Sequence, residues 1–431
     1  MREGGMAPTE PKPEAPQPWL ANLGPGIVTG AADDDPSGIA TYSQAGAQFG
    51  YAMTWTMFFT FPLMVGVQLV CAHIGRVSGH GLATNIRCHY PAWLLYTLVS
   101  LLLVANTINI AADLSAMGDA LGLFTGSSTH FYAVLFGVTS AALQVLVPYR
   151  RYVRVLKWLT LALFAYVATV FVVHVPWPEV LRATILPKLV WSKEYITVLV
   201  AVFGTTISPY LFFWQSSQEV EDQRADPKSA PLKRAPQQVA GEMRRMRMDT
   251  MIGMGVSNLV AFFLIVTTAA TLHANGITDI QTSTQAASAL RPLAGDFAFA
   301  LFGAGIIGTG LLAVPVLAGS AAYAMAGTFK WKNSLESRPT AAREFYAVIV
   351  AATIGGVIIG FTPIDPIKAL FWSAVINGVI SVPVLAVMML VAARKDVMGS
   401  LAVRGPLRGL GWLCTAVMAI AVIAMFVTLG S

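Results

Sequence analysis

From about position 20 to its end the chain is a succession of long apolar runs separated by short polar punctuation. They predict eleven membrane spans near 20–50, 52–75, 92–121, 128–148, 155–175, 194–222, 248–272, 296–326, 344–361, 366–392 and 409–430. Each approaches or exceeds the roughly 20 apolar residues that carry a helix across the hydrocarbon core of a bilayer. Two runs are interrupted from within. GPGIVTGAADDDPSGIATYSQAGAQFGY (24–51) breaks at Asp35-Pro36-Ser37, and VAVFGTTISPYLFFWQSSQEVED (200–222) breaks at Ser208-Pro209-Tyr210. Proline removes a backbone donor and pushes the residue before it out of helical dihedrals, so each run predicts a helix broken at membrane depth. The segment 222–247 is polar, proline-containing and basic, too hydrophilic to span. The first 18 residues, rich in proline and glutamate and lacking a signal-peptide layout, predict a disordered, retained tail.

The two breaks lie 173 residues apart, and each falls in the first span of a five-span block. An odd number of spans per block makes the two blocks run oppositely through the membrane. The predicted fold class is therefore an all-α integral membrane protein with two inverted five-helix repeats, 19–175 and 194–392. A loop and an additional span follow at 393–431. Paired broken spans at matching places point to a secondary transporter with a midplane site, where unwound backbone lines a cavity.

Composition sharpens this. Of the 431 residues 55% are hydrophobic and only 12% charged, against about a quarter charged in a soluble domain. A large catalytic domain outside the membrane is excluded, and no His-Glu-x-x-His or Ser-His set lies within the spans, so the chain is not expected to be an enzyme. Three cysteines without ligand spacing exclude a disulfide scaffold. The net charge of +6 suggests nucleic acid until the cations are placed. With the N-terminus inside, 23 of the 28 Lys and Arg residues fall in inner segments and 5 in outer ones. That asymmetry predicts an inner-membrane protein with a cytoplasmic N-terminus and an outer C-terminus. It leaves nucleic acid no role, and no obligate protein partner is indicated.

The candidate chemistry sits at the breaks. Asp33, Asp34 and Asp35 are three consecutive carboxylates at membrane depth, which must face protein or a water-filled cavity and mark a functional site. The stretch ATYSQAGAQFGY (40–51) and the frame of Gly204-Thr205-Thr206, Pro209 and Ser216-Ser217 resemble the Nramp divalent-metal transporters, which have a LeuT-type fold. Family members carry Asp-Pro-Gly-Asn in the first span and Met-Pro-His in the sixth. Here the matching positions read Asp35-Pro36-Ser37-Gly38 and Ser208-Pro209-Tyr210. The aspartate is kept, and the asparagine, methionine and histidine are absent.

The resemblance implies Asp35 as the charged ligand, with the backbone of Ala32 and Thr205 and the hydroxyl of Ser208 completing the site. Gly38, Pro36, Pro209 and Tyr210 shape it. A serine oxygen in place of a soft sulfur, and a glycine in place of an amide, suggest a roomier all-oxygen site suited to a hard, partly hydrated ion. The pattern resembles the divergent Nramp-related magnesium transporters, with Mg2+ or Mn2+ as the transported substrate and no cofactor. In the third span, Asn106–Leu123 resembles the family segment that carries Asp and Glu for proton transfer. Here those positions read Asn109 and Ala112, with Asp113 next door, and Tyr210 replaces the histidine. Proton coupling is therefore not expected; a proton-coupled Mn2+/Fe2+ transporter is the alternative. Asp34 is either a vestibule acid or a solvated helix-end charge. Asn377 either ligates or bonds a neighbouring helix. Glu219, Glu221 and Asp222 are either an acidic vestibule or a solvated helix end.

Overall fold

The computed structural model describes residues 25–126, 128–147 and 159–430, and every regular element among them is helical. The expected tail at 1–18 and positions 155–158 of the fifth expected span lie outside the described residues. The first broken span is α1 (Pro25–Asp33) and α2 (Pro36–Phe49). Then come α3 (Thr54–Ser78), α4 (Leu82–His89), α5 (Ala92–Thr125), α6 (Thr129–Leu146), α7 (Phe164–Val170) and α8 (Trp177–Ile185). The second broken span is α9 (Lys193–Thr206) and α10 (Pro209–Ala225). The longer helices after it are α11 (Val239–Thr271), α12 (Ser283–Ser288), α13 (Ala298–Phe329), α14 (Arg343–Ile359), α15 (Pro366–Ala393) and α16 (Gly405–Gly430).

Eight helical stretches among the described residues are long and apolar enough to cross a membrane, where eleven spans were expected. The first two expected spans run together from Pro36 to Ser78 through a 3-10 turn at Gly50–Met53, and α1 has only 9 residues. The described part of the fifth is short, and α14 has 17 residues. Helix α11 begins nine residues before the expected 248, inside the segment read as too polar to span. Its first turns are held by ion pairs, which an apolar pattern does not register. Arg245 contacts Glu242 at 2.9 Å, buried Glu219 at 2.5 Å and Asp222 at 3.8 Å. Arg76 of α3 joins Glu242 at 2.9 Å and Asp222 at 3.6 Å.

Close helix crossings set the position of the breaks. Where α1 crosses α11, Gly26, Gly30 and Gly253 let the two backbones touch. A Cβ on Gly26 would lie 2.8 Å from Thr250 N, and one on Gly253 would lie 2.9 Å from Ile27 Cα. Small residues at such contacts allow the close van der Waals packing that drives association in lipid. The same crossing satisfies the free amides at the start of α1. Asp249 accepts from Gly26 N at 2.6 Å and from Ile27 N at 3.3 Å, as a carboxylate at a helix N-terminus should. Helices α9 and α15 meet in the same way at Gly204 and Gly378. Helix α13 packs along α5 and carries the core toward the first break.

Candidate cation site at the paired helix breaks

Pro36 and Pro209 each occupy the first turn of the second half-helix, where a missing N–H removes no hydrogen bond. Asp35 caps α2: its Oδ1 accepts from Gly38 N at 2.8 Å and from Ser37 Oγ at 2.6 Å. Its Oδ2 accepts from Asn109 Nδ2 at 3.2 Å and Tyr210 OH at 3.3 Å. All four partners are neutral. No Lys, Arg or His pairs with Asp35 among the described residues, so a buried carboxylate is held by hydrogen bonds with no counter-charge. An unpaired buried charge is costly unless a cation or a bound proton offsets it.

The sixth-span residues arrive by two routes. Tyr210 OH also reaches the carbonyl of Ala32 at 3.0 Å and so ties the start of α10 to the end of α1. Ser208 does not bond Asp35. Its hydroxyl turns back and donates to the carbonyls of Gly204 and Thr205, each at 2.8 Å, leaving its lone pairs free. Thr205 therefore presents more than its backbone: its Oγ1 is buried without a hydrogen-bond partner. The room expected beside Gly38 is taken up. A Cβ there would stand 3.2 Å from Thr205 Oγ1 and 3.4 Å from Tyr42 Cε2. Ala32, Asp35, Asn109, Thr205, Ser208 and Tyr210 are each at most 1% exposed, so the site is sealed on both sides in this conformation.

Three further residues were singled out in the sequence. Asp113, next door to the position where the family carries Glu, lies one turn beyond Asn109 on the same face, fully buried, with neither carboxylate oxygen hydrogen-bonded. It is close enough to Asp35 and Tyr210 to interact with both electrostatically. Asn377 forms no interhelical hydrogen bond: both its amide atoms are buried and unpartnered. It sits one turn before Ser381, whose hydroxyl donates to the Ile207 carbonyl inside the second break at 2.6 Å. Asp34 borders a cavity of about 300 Å³ between α1 and α11, which Ser257 also lines. It is 6% exposed and shares Ser257 Oγ with Asp33, at 3.0 and 2.7 Å.

Ser257 was missed by sequence reasoning because a lone serine in an apolar span gives no signal. Thr29 and Gln215, hydrogen-bonded between α1 and α10, were missed for the same reason. The acids of α10 have partners within the protein. Glu219 and Asp222 belong to the ion-pair group, and Glu221 accepts from Tyr323 OH at 2.6 Å and Leu335 N at 2.9 Å. Among the described residues no three His, Cys, Asp or Glu side chains converge as a metal cluster. The carboxylates buried at the first break are Asp33, Asp34 and Asp35, and Asp113 of α5 is buried as well.

Residues 26–428 match the family model described as "Natural resistance-associated macrophage protein-like", Nramp. The chain belongs to the Nramp family. Nramp proteins are membrane transporters, not enzymes, which makes this chain an integral membrane protein. It is 27% identical over 415 residues to the divalent metal cation transporter MntH of Klebsiella pneumoniae subsp. pneumoniae, covering 93% of this chain and 92% of that protein. Its structure resembles the manganese transporter of Eremococcus coleocola crystallised with an aromatic bis-isothiourea substituted compound. The TM-score is 0.73 at 18% identity, over 95% of this chain and 87% of the other. Mhp1, a nucleobase-cation-symport-1 family transporter in a closed conformation, aligns at TM-score 0.59 and 12% identity, over 94% of this chain and 92% of the other. These likenesses show a fold common to Nramp and LeuT-type transporters.

Proposed function

We propose that this Nramp protein is a secondary transporter that carries hard divalent cations, Mg2+ and Mn2+, through the site at the two helix breaks. It runs downhill on the metal gradient and membrane potential. The observation that carries the reading is Asp35: a carboxylate sealed between both breaks, held only by neutral donors and without a counter-cation. Ala32 carbonyl, Thr205 Oγ1 and the Ser208 lone pairs offer the ion oxygen, and the buried Asn377 amide, one turn before Ser381, has both its atoms unpartnered. The ligand atoms so proposed are all oxygens, with no sulfur among them, which favours hard cations over cadmium. The relatives named for divalent metal cation and manganese transport support the cargo class. An inward potential is a sufficient drive, since a divalent ion gains about 4.6 kcal/mol per 100 mV. The two opposed blocks, with the N-terminus on the cytoplasmic side, would rock about this site.

A second reading has its own support. Asp113 is buried, unpartnered and beside Asp35, so it could take up and release a proton where Asn109 and Ala112 cannot. That arrangement favours a proton-coupled manganese or iron carrier. Uptake into proteoliposomes, comparing Mg2+, Mn2+ and Ca2+ with an internal pH dye at clamped potential, separates the two. Magnesium uptake without acidification supports the uncoupled carrier. Manganese-only uptake with acidification overturns it.

A further inference from the structure

At the basic end of the bundle, away from the helix breaks, a cavity of about 210 Å³ opens between α4, α10 and the C-terminal end of α13. Three cations line it, Arg87, Arg224 and Lys330, together with His80. None of the three forms an ion pair among the described residues. Arg87 spends one donor on the Gly327 carbonyl, and Arg224 reaches Asn333 Oδ1 at 3.5 Å. The single carboxylate in the wall, Glu221, is already occupied by Tyr323 OH and Leu335 N. The wall is thus cationic and offers most of its donors to an occupant.

Two independent features mark it as a binding site. Lys330 follows α13 with φ 62°, the only positive φ among the described non-glycine residues. That helix-ending position normally goes to glycine, because a Cβ in the left-handed region crowds its own backbone. Strain of this kind persists only where the surrounding structure holds it, and it clusters at ligand clamps and active sites. In addition, Ser217 of α10 is 7% exposed, and its hydroxyl borders the cavity without a hydrogen bond among the described residues.

The setting identifies the occupant. Trp331, also in the wall, stacks on Phe329 at 5.0 Å and 23°, and Phe329 in turn lies 6.2 Å from Tyr96. Phe329, Tyr96 and Trp93 are exposed on the outer surface. A girdle of exposed aromatic rings marks the level of lipid headgroups. The volume falls below the roughly 300–1,000 Å³ of pockets for drug-sized ligands, which suits a headgroup rather than a whole nucleotide. We infer that this cavity binds the phosphate group of an anionic phospholipid. Arg87 and Arg224 donate to its oxygens, Lys330 supplies a point charge and Ser217 a neutral donor, and the acyl chains lie along the aromatic surface.

The test is thermal unfolding of the purified full-length protein in detergent. Short-chain phosphatidic acid, phosphatidylcholine of the same chain length, and inorganic phosphate are each titrated. Phosphatidic acid should raise Tm saturably, as ligand binding to the folded state requires, while phosphatidylcholine should not. Arg224→Gln should weaken the apparent affinity about fivefold, the worth of one cation near a lipid surface. Lys330→Gly should weaken it similarly while its lipid-free Tm stays equal to or above that of the wild type, because glycine relieves the backbone. Lys332→Gln, which removes a neighbouring charge outside the cavity, should leave the affinity unchanged. Equal responses to both lipids, or undiminished affinity in K330G and R224Q, would overturn the site. A saturable response to inorganic phosphate with none to phosphatidic acid would overturn the lipid as its source.

Discussion

Replacing Asp35 by Asn should abolish divalent-ion uptake and leave the protein folded. The amide can keep the local hydrogen bonds. Its Oδ1 still accepts from Gly38 N and Ser37 Oγ. Its new NH2 can donate to Tyr210 OH once the Tyr210 proton, shared in the wild type between Asp35 Oδ2 and the Ala32 carbonyl, turns wholly to Ala32 at 3.0 Å. Asn109 can turn its unpartnered Oδ1 toward the new donor. What disappears is the charge. A divalent ion about 4 Å from a carboxylate, as when one water intervenes, gains roughly 8 kcal/mol at an effective dielectric constant of 20. Most of that is offset by desolvation of ion and carboxylate. If even a quarter survives, about 2 kcal/mol, its loss raises Kd roughly thirtyfold. The assay is paired: Mg2+ and Mn2+ uptake into proteoliposomes, and thermal unfolding without metal. D35N should lose uptake, and its metal-free Tm should match or exceed that of the wild type, because an unpaired buried charge has gone. A D35N protein with unchanged Tm that transports within threefold of wild type would refute Asp35 as the ligand.

Ser208→Met should shift competition in the uptake assay toward Mn2+ and Cd2+ at the expense of Mg2+, since it adds a soft donor and frees the Gly204 and Thr205 carbonyls; an unchanged order of ions would count against Ser208 as a selectivity residue. Asp113→Asn should leave potential-driven Mg2+ uptake intact if the carrier is uncoupled, whereas dye acidification present in the wild type and lost in D113N would install Asp113 as the proton group. Arg245→Met should destabilise the protein by about 3–5 kcal/mol, because it strands fully buried Glu219. The double variant E219Q/R245M should recover part of that loss in Tm, and a double variant no more stable than R245M would show that the pair is not the source.

The helix breaks were readable in the linear sequence because proline acts locally. Pro36 and Pro209 constrain their own backbone whatever surrounds them, and an acid at membrane depth is a signal without any knowledge of neighbours. Span count was less legible. A stretch such as Pro36–Ser78 keeps its apolar character through a turn, and the start of α11 depends on partners in α3 and α10. The same limit applied to the site. Asn109 and Asp113 are four residues apart, so the helical repeat already places them on one face. Which face meets Asp35 is set by how α5 packs against α13 and α15.

Sequence alone determined the all-helical membrane class, the two breaks and the carboxylate between them, since composition and proline chemistry act over a few residues. Tertiary structure alone decided which polar atoms converge. Ser257 reaches Asp33 and Asp34 across more than 220 positions, and Tyr210 reaches Asp35 across 175. A single hydroxyl or amide in an apolar helix carries no periodic signature. Its role exists only once the glycine-lined crossings of α1 with α11 and of α9 with α15 bring the backbones into contact and exclude the water that would otherwise satisfy it.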